Sequence, residues 1–191
     1  MKRIKFSLIL TFLLFLNSTG CAGYYPDMTG TVVDAETGQP IEGAVVLVEW
    51  TKKVGIGDYH TESVKVVEVV TDEKGKFKVT GIVKPFIEPP DMTIYKKGYV
   101  AWNNKVIFPE YKKREGFKWR SGNIYKLDRF KPEYSHIEHT SFIHSATNAS
   151  ISSNKMMIEK AYRWEELESS NERDKRDQRK IPNRNDPLKS D

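Results

Sequence analysis

The chain has 191 residues, 38% of them hydrophobic, with 31 basic and 26 acidic side chains and a formal charge of +5. That length suits one ordinary domain with appendages and hardly two, and the low apolar share predicts a packed middle with solvated ends. With Lys2, Arg3 and Lys5 set aside as part of a leader, 28 basic side chains face 26 acidic ones, about +2, which is too weak to argue for nucleic acid as a partner.

Residues 1–20 read as a signal peptide. Lys2, Arg3 and Lys5 form a positive start, residues 6–16 an apolar run, and Asn17-Ser18-Thr19-Gly20 a small, polar approach to Cys21, the single cysteine. Eleven apolar residues make a helix of about 16 Å, short of the roughly 30 Å hydrocarbon core, so a cleaved leader fits better than a membrane span. The Gly20-Cys21 junction resembles a bacterial lipobox, with Ser18 standing where that motif usually has leucine. The resemblance implies cleavage before Cys21 and acylation of its sulfur and new amino group, which makes Cys21 the predicted lipid-attachment residue and a membrane the predicted partner. The alternative is an ordinary secretory signal with an incidental cysteine. A lone exposed thiol in an oxidising compartment invites cross-linking, which acylation prevents. At about 0.8 kcal/mol per buried methylene, two or three acyl chains hold a protein on a bilayer where one lets go. Ala22, not aspartate, follows the cysteine, which in the sorting pattern of enteric bacteria directs a protein to the outer membrane. The expected location is therefore the bacterial cell envelope, lipid-anchored, facing the periplasm or the surface.

Residues 21–27 read as a short tether whose Tyr24 and Tyr25 either lie at the headgroup level or, the favoured reading, pack on the edge of the following domain. Residues 28–50 then organise the chain. A strand over 29–33 and an almost unbroken apolar strand over 44–50, with Val45, Val46, Leu47, Val48 and Trp50, are joined by Asp34, Gly38 and Pro40 as turn formers. This predicts a hairpin-like start, with the second strand covered on both faces. The glycines and Asp58 of 52–62 predict a long loop in which His60 is solvated. A strand over 63–71 enters the turn Asp72-Glu73-Lys74-Gly75, and 76–81 returns with Phe77 and Val79 inward. Asp34 and Asp72 serve turn chemistry better than calcium, which needs six to eight oxygens.

Pro85, Pro89 and Pro90 break the ladder and predict a bulging connection. A strand over 92–96, a turn at Lys97-Gly98-Tyr99, a partner strand over 100–108 with Trp102 and Val106 in the core, and a late strand over 122–127 bring the count to about seven, a β-sandwich. Asn103-Asn104 marks a bulge or tight turn.

The pattern Gly30-x-Val32-Val33-Asp34-x-x-Thr37-Gly38-x-Pro40-Ile41-x-Gly43-Ala44-x-Val46, followed by Thr71-Asp72-x-x-Gly75-x-Phe77 and Lys97-Gly98-Tyr99, resembles the carboxypeptidase regulatory-like domains. The resemblance implies a mainly β fold, a seven-stranded sandwich of transthyretin-like topology, over 28–131. In the carboxypeptidases this module accompanies a separate zinc enzyme domain. No residues of such a domain stand in these 191, so the resemblance implies no catalysis.

Residues 105–131 hold Lys105, Lys112, Lys113, Arg114, Lys118, Arg120, Lys126, Arg129 and Lys131 against Glu110, Glu115 and Asp128, interleaved with Phe108, Tyr111, Phe117, Trp119, Tyr125 and Phe130. Such a mixture stacks on sugars and pairs with anions, and in an exported protein an anionic glycan or lipid is the fitting ligand. The competing reading makes the aromatics core and the lysines guards of an edge.

Residues 132–168 predict a helical extension, with one helix over 133–149 and another over 155–168 capped by Ser152, Ser153 or Asn154. His136, His139 and His144 lie close in sequence, and on a helix the first two share a face. With Glu138 they raise a metal-dependent hydrolase as a weaker alternative, since the spacing is not His-Glu-x-x-His and a further ligand is needed. Residues 169–191, dense in charge of both signs with two prolines, predict a disordered tail beyond any helix carried over from Leu167. No nucleophile–base pair, catalytic carboxylate pair, phosphate loop or ligand spacing stands out, so no catalytic, cofactor or metal residue is assigned. The expectation is a lipid-anchored, non-enzymatic envelope protein that binds or assembles with a protein or glycan partner.

Overall fold

The computed structural model describes residues 22–147 and 156–180. The leader at 1–20, Cys21, the capping candidates Ser152, Ser153 and Asn154, and the tail beyond residue 180 lie outside the described residues. The strands are β1 (Ala22–Tyr25), β2 (Met28–Asp34), β3 (Val45–Val54), β4 (His60–Val70), β5 (Lys76–Val79), β6 (Ile82–Pro85), β7 (Asp91–Tyr95), β8 (Trp102–Asn103), β9 (Val106–Ile107), β10 (Lys112–Lys113) and β11 (Asn123–Leu127), and the helices are α1 (His136–Thr147) and α2 (Met156–Lys180).

The chain is mainly β, a sandwich with a helical C-terminal part. One sheet has the order β11-β2-β5 and the other β4-β3-β7-β8, seven strands in all, while β1-β6 and β9-β10 form two small ladders. Met28, Val32, Phe77, Val79, Tyr125 and Leu127 from the first sheet close on Val46, Val48, Trp50, Met92 and Ile94 from the second. Phe77 and Val79 point inward as their alternation predicts. The opposite face of the second sheet carries Val45, Leu47 and Tyr95 into a second core with Phe142 and Ile143 of α1 and Ile158 and Tyr162 of α2. β3 is thus buried on both faces through Thr51, and each fully covered Val or Leu there contributes about 1.5–3 kcal/mol.

Several sequence expectations are corrected. β2 and β3 do not form a hairpin. The turn after β2 folds back on its own strand, with Asp34 N–H donating to Gln39 O (2.9 Å) and Ile41 N–H to Val32 O (3.0 Å), and the chain then crosses to the other sheet where Ala44 N–H meets Thr71 Oγ1 (2.8 Å). The tether is no tether: Ala22–Tyr25 pairs antiparallel with Ile82–Pro85, so the prolines of 85–90 end a strand instead of bypassing one. Most of the loop at 52–62 is strand, β3 and β4 continuing past a register shift at Trp50/Thr51 to a tight turn at 55–59. Gly55 makes that turn possible at φ +126, since a Cβ there would meet Asp58 O at 2.0 Å. The strand expected over 100–108 breaks into two short pieces, β8 and β9, because the side chains of Asn103 and Asn104 take over backbone bonding. Asn103 Oδ1 accepts from Lys105 and Val106 N–H, and Asn104 Oδ1 from Met92 N–H.

The helix begun at Met156 runs to Lys180, so residues 169–180 are helical and not a disordered tail. Several of their charges have partners. Glu172 accepts from Ser135 Oγ (2.9 Å) and Ile137 N–H (3.3 Å), placing a carboxylate at the N-terminus of α1, and Arg176 Nη2 donates back to it (2.6 Å). Glu68 of β4 does the same for α2, accepting from Met157 and Ile158 N–H. Carboxylates at helix N-termini satisfy orphan donors and favour the helix dipole.

Asp72 Oδ1 accepts from Lys74 and Lys76 N–H, the turn chemistry expected. Asp34 does more: Oδ1 accepts from Glu36 and Thr37 N–H, and Oδ2 from Tyr99 Oη (3.0 Å) and Arg129 Nη2 (2.7 Å). The Thr37 N–H leads the groups that hold its carboxyl down to about 2, burial working against them. A carboxyl depressed on folding stabilises above its unfolded value and loses that contribution as pH falls through the folded one. Thermal unfolding should therefore show wild type more stable than Asp34→Asn at neutral pH, with the gap closing between about pH 4 and pH 2. A gap that stays constant over that range contradicts the assignment.

Candidate functional site

The sandwich opens along one side where the edge strands β8 and β11 meet, and there Trp102 of β8 lies edge-on to Tyr125 of β11, with centroids 4.9 Å apart at 83°. Phe117 also packs edge-on against Trp102, at 5.8 Å. These rings floor a groove of about 570 Å³ rimmed by Arg114, Lys118, Arg120 and Lys126, with Glu115 the one carboxylate, a local charge of +3.

Local structure fixes this arrangement. Tyr125 and Leu127 alternate inward on β11 while Ile124 and Lys126 point out. The short ladder of β9 and β10, with Lys113 opposite Val106, brings Arg114 back beside β8. Its Nε donates to Asn103 O (2.7 Å) and its guanidinium sits 4.7 Å from the Trp102 ring centre. Burial pulls the Arg114 guanidinium below its ordinary value, with Asp128 opposing. Arg120 Nε donates to Asn123 Oδ1 (3.0 Å), and Asn123 Nδ2 donates to Lys118 O (3.1 Å), so the rim is braced by its own side chains.

The basic aromatic stretch at 105–131 is therefore divided. Lys105 pairs with Asp91, Lys113 with Glu115 and Arg129 with Asp34. Phe108 is buried beneath α1, Trp119 packs edge-on against Trp50 and Phe130 stacks on His136. Arg114, Phe117, Lys118, Arg120, Tyr125 and Lys126 reach the groove, joined by Trp102, which the sequence placed only in the core. Trp102 lies three residues before the basic run, and no periodicity there distinguishes a groove floor from a core position.

The histidines take a structural role. His136 and His139 share a face of α1, as their spacing predicts, and both ring Nδ1 atoms meet Glu165 Oε1 of α2, at 2.7 and 2.8 Å. His139 is fully buried, and its Nε2 accepts Ala101 N–H (2.9 Å). Its proton therefore sits on Nδ1, and neither nitrogen is open to a metal. Glu165 Oε2 accepts Tyr95 Oη (3.1 Å), which accepts Trp164 Nε1 (2.6 Å). Burial alone raises the Glu165 carboxyl, but the bonds from His139 and His136 outweigh it and hold the group below its ordinary value. His144 lies apart on Glu166 at 3.2 Å, and His60 on Glu62 at 3.2 Å. Glu138, the expected companion of the histidines, offers its backbone to Tyr111 instead. Among the described residues no group of three or more His, Cys, Asp or Glu side chains is placed to hold a metal, and no helix is long and apolar enough to cross a membrane.

No protein-family model matches the chain, and no curated protein sequence matches it. Solved structures similar to it include 3-chlorocatechol 1,2-dioxygenase from Rhodococcus opacus, at 18% identity and TM-score 0.36 over 56% of this chain and 61% of that one. A streptococcal ancillary pilin matches at 17% identity and TM-score 0.30 over 58% and 30%, and the shaft pilin of Lactobacillus rhamnosus GG at 17% and 0.29 over 57% and 47%. The matched part spans less than two thirds of each of these proteins, and likeness at this level carries no functional argument.

Removing the carboxylate that gathers His136, His139 and Tyr95 leaves two buried donors, His139 Nδ1–H and the Tyr95 O–H, without their acceptor and takes the half-buried His136 off its partner. Chemical denaturation should find Glu165→Ala less stable by about 3 kcal/mol, against under about 0.5 for the exposed Leu167→Ala. Equal effects at the two positions contradict a structural role for the cluster.

Proposed function

We propose that this chain is a non-enzymatic binding module of the bacterial envelope: a sandwich of the carboxypeptidase regulatory-like type, held on a membrane by acylation of Cys21, that takes an anionic glycan in the groove between β8 and β11. The observation that carries the reading is the convergence of an aromatic floor and four cations on one open edge. A sugar ring presents an apolar face that packs on the half-buried Trp102 and Phe117, while its carboxylate, sulfate or phosphate groups pair with Lys118, Arg120 and Lys126. Arg114, fixed against Trp102 and Asn103, costs little further side-chain entropy on binding. The anchor supports the same reading, because it confines the groove to the surface where envelope glycans are concentrated.

Lys112 and Lys113 belong to the β9-β10 ladder and do not line the groove, so charge reversal is aimed elsewhere. Full-length protein in detergent micelles, titrated with dextran sulfate and followed by tryptophan fluorescence, should bind at low ionic strength. Release is expected as the screening length contracts towards about 3 Å at 1 M salt. Combined Lys118→Glu, Arg120→Glu and Lys126→Glu should weaken binding by at least about tenfold, since three exposed pairs at about 0.5 kcal/mol each already account for that. Neutral dextran binding as tightly as dextran sulfate, or a triple variant that binds unchanged, rejects the reading.

A further inference from the structure

The start of the domain holds a second surface that the groove does not involve. In the β1–β6 ladder, Tyr25 faces Ile82 and both pack against the sandwich core, so the next pair, Tyr24 and Val83, points away from it. Tyr24 is 66% exposed, Val83 67%, and Phe86, which follows the exposed Pro85, 76%. Phe86 is held at φ +56, a conformation uncommon for a side chain of its size. Tyr24, Val83 and Pro85 share one outer face by register, and the exposed Phe86 follows directly at its end, an apolar run unusual on a surface otherwise rich in charge. Lys84, opposite Gly23, alternates to the other side of the ladder, and the carboxylates at its two ends, Asp27 and Glu88, are paired with Lys78 and Lys53.

Position identifies what covers this face. β1 begins at Ala22, directly after Cys21, and Pro85 is the cross-strand partner of Ala22. At about 3.3 Å per strand residue, Tyr24 lies within about 10 Å of the Cys21 Cα. The headgroup layer of one leaflet is about 5–8 Å deep. A chain acylated at Cys21 and folded from Ala22 onward has no spacer with which to stand off the membrane.

Resting on the reading that Cys21 is acylated, we infer that the outer face of the β1–β6 ladder, with Tyr24, Val83, Pro85 and Phe86, is a membrane-contact surface. The rings of Tyr24 and Phe86 and the side chain of Val83 enter the headgroup layer, where amphipathic and apolar rings settle. The anchor and this face fix the orientation of the domain on the bilayer, where an anchor on a flexible tether leaves it free to tumble.

The test uses full-length chain purified from bacterial membranes and returned to vesicles of phosphatidylethanolamine and phosphatidylglycerol. Once Cys21 carries acyl chains, Val83→Cys, Phe86→Cys and the control Leu167→Cys each offer a single reactive thiol for an environment-sensitive fluorophore. Intact mass reports acylation in every sample. The expected result is an acylated chain with labels at 83 and 86 quenched several-fold more by brominated lipid than the label at 167. Acylated protein in which all three labels are equally unquenched overturns this inference and leaves the anchor standing. A bare Cys21 removes the anchor and the inference together. Labels at 83 and 86 that are already shielded in detergent, increasingly so with protein concentration, assign the face to a second copy of the chain and overturn it also.

Discussion

Val45 to Trp50 presents apolar side chains in both directions, and a strand of that kind is stable only when something lies on each side of it. The first sheet supplies one cover, meeting Val46, Val48 and Trp50, and the helices supply the other, meeting Val45 and Leu47. The helical part is therefore a third layer of the fold and not an appendage to a finished sandwich. The double burial ends at the register shift between Trp50 and Thr51. There Glu49 Oε1 and Trp50 Nε1 are buried with no hydrogen-bond partner among the described residues.

The helices are held on this strand by carboxylates reaching across layers. Glu68 leaves the sheet to meet the start of α2, Glu172 leaves α2 to meet the start of α1, and Glu165 joins two histidines of α1 to Tyr95 of β7. With one face of the second sheet committed to the first and the other to the helices, that sheet has no free face, and its surroundings offer edges to other molecules. The groove between β8 and β11 is one and the β1–β6 ladder is another, and they differ in chemistry: cations over aromatic rings in the first, uncharged apolar side chains in the second.

Much of this was legible in the residues. The almost unbroken apolar run at 44–50 could be read as a strand covered on both faces, Phe77 and Val79 could be assigned inward from strict alternation, and Asp72 with Gly75 marked its turn, because these signals are local. What escaped depends on distant partners. Residues 22–25 become a strand only because 82–85 pair with them, and 52–62 carries on as strand because its cross-strand neighbour does. The helix over 169–180, polar almost throughout, gains its hold from Ser135 and the N-terminus of α1, more than thirty residues earlier.

The same division holds at the candidate sites. That residues 105–131 mix cations with aromatics was plain, but which cations are spent on Asp91, Glu115 and Asp34 depends on the topology. The shared face of His136 and His139 followed from helical spacing, whereas Glu165, twenty-six residues beyond His139, had no signal in the sequence to mark it as their partner.

Native-state hydrogen exchange tests most directly whether the helices and the sandwich are one unit. If β3 requires both covers, the amides of α1 from His139 to Ala146 should exchange with the same opening free energy as those of Val45 to Val48, that of global unfolding. Exchange of α1 through a separate, lower-energy opening, while the β3 amides remain fully protected, would contradict the account.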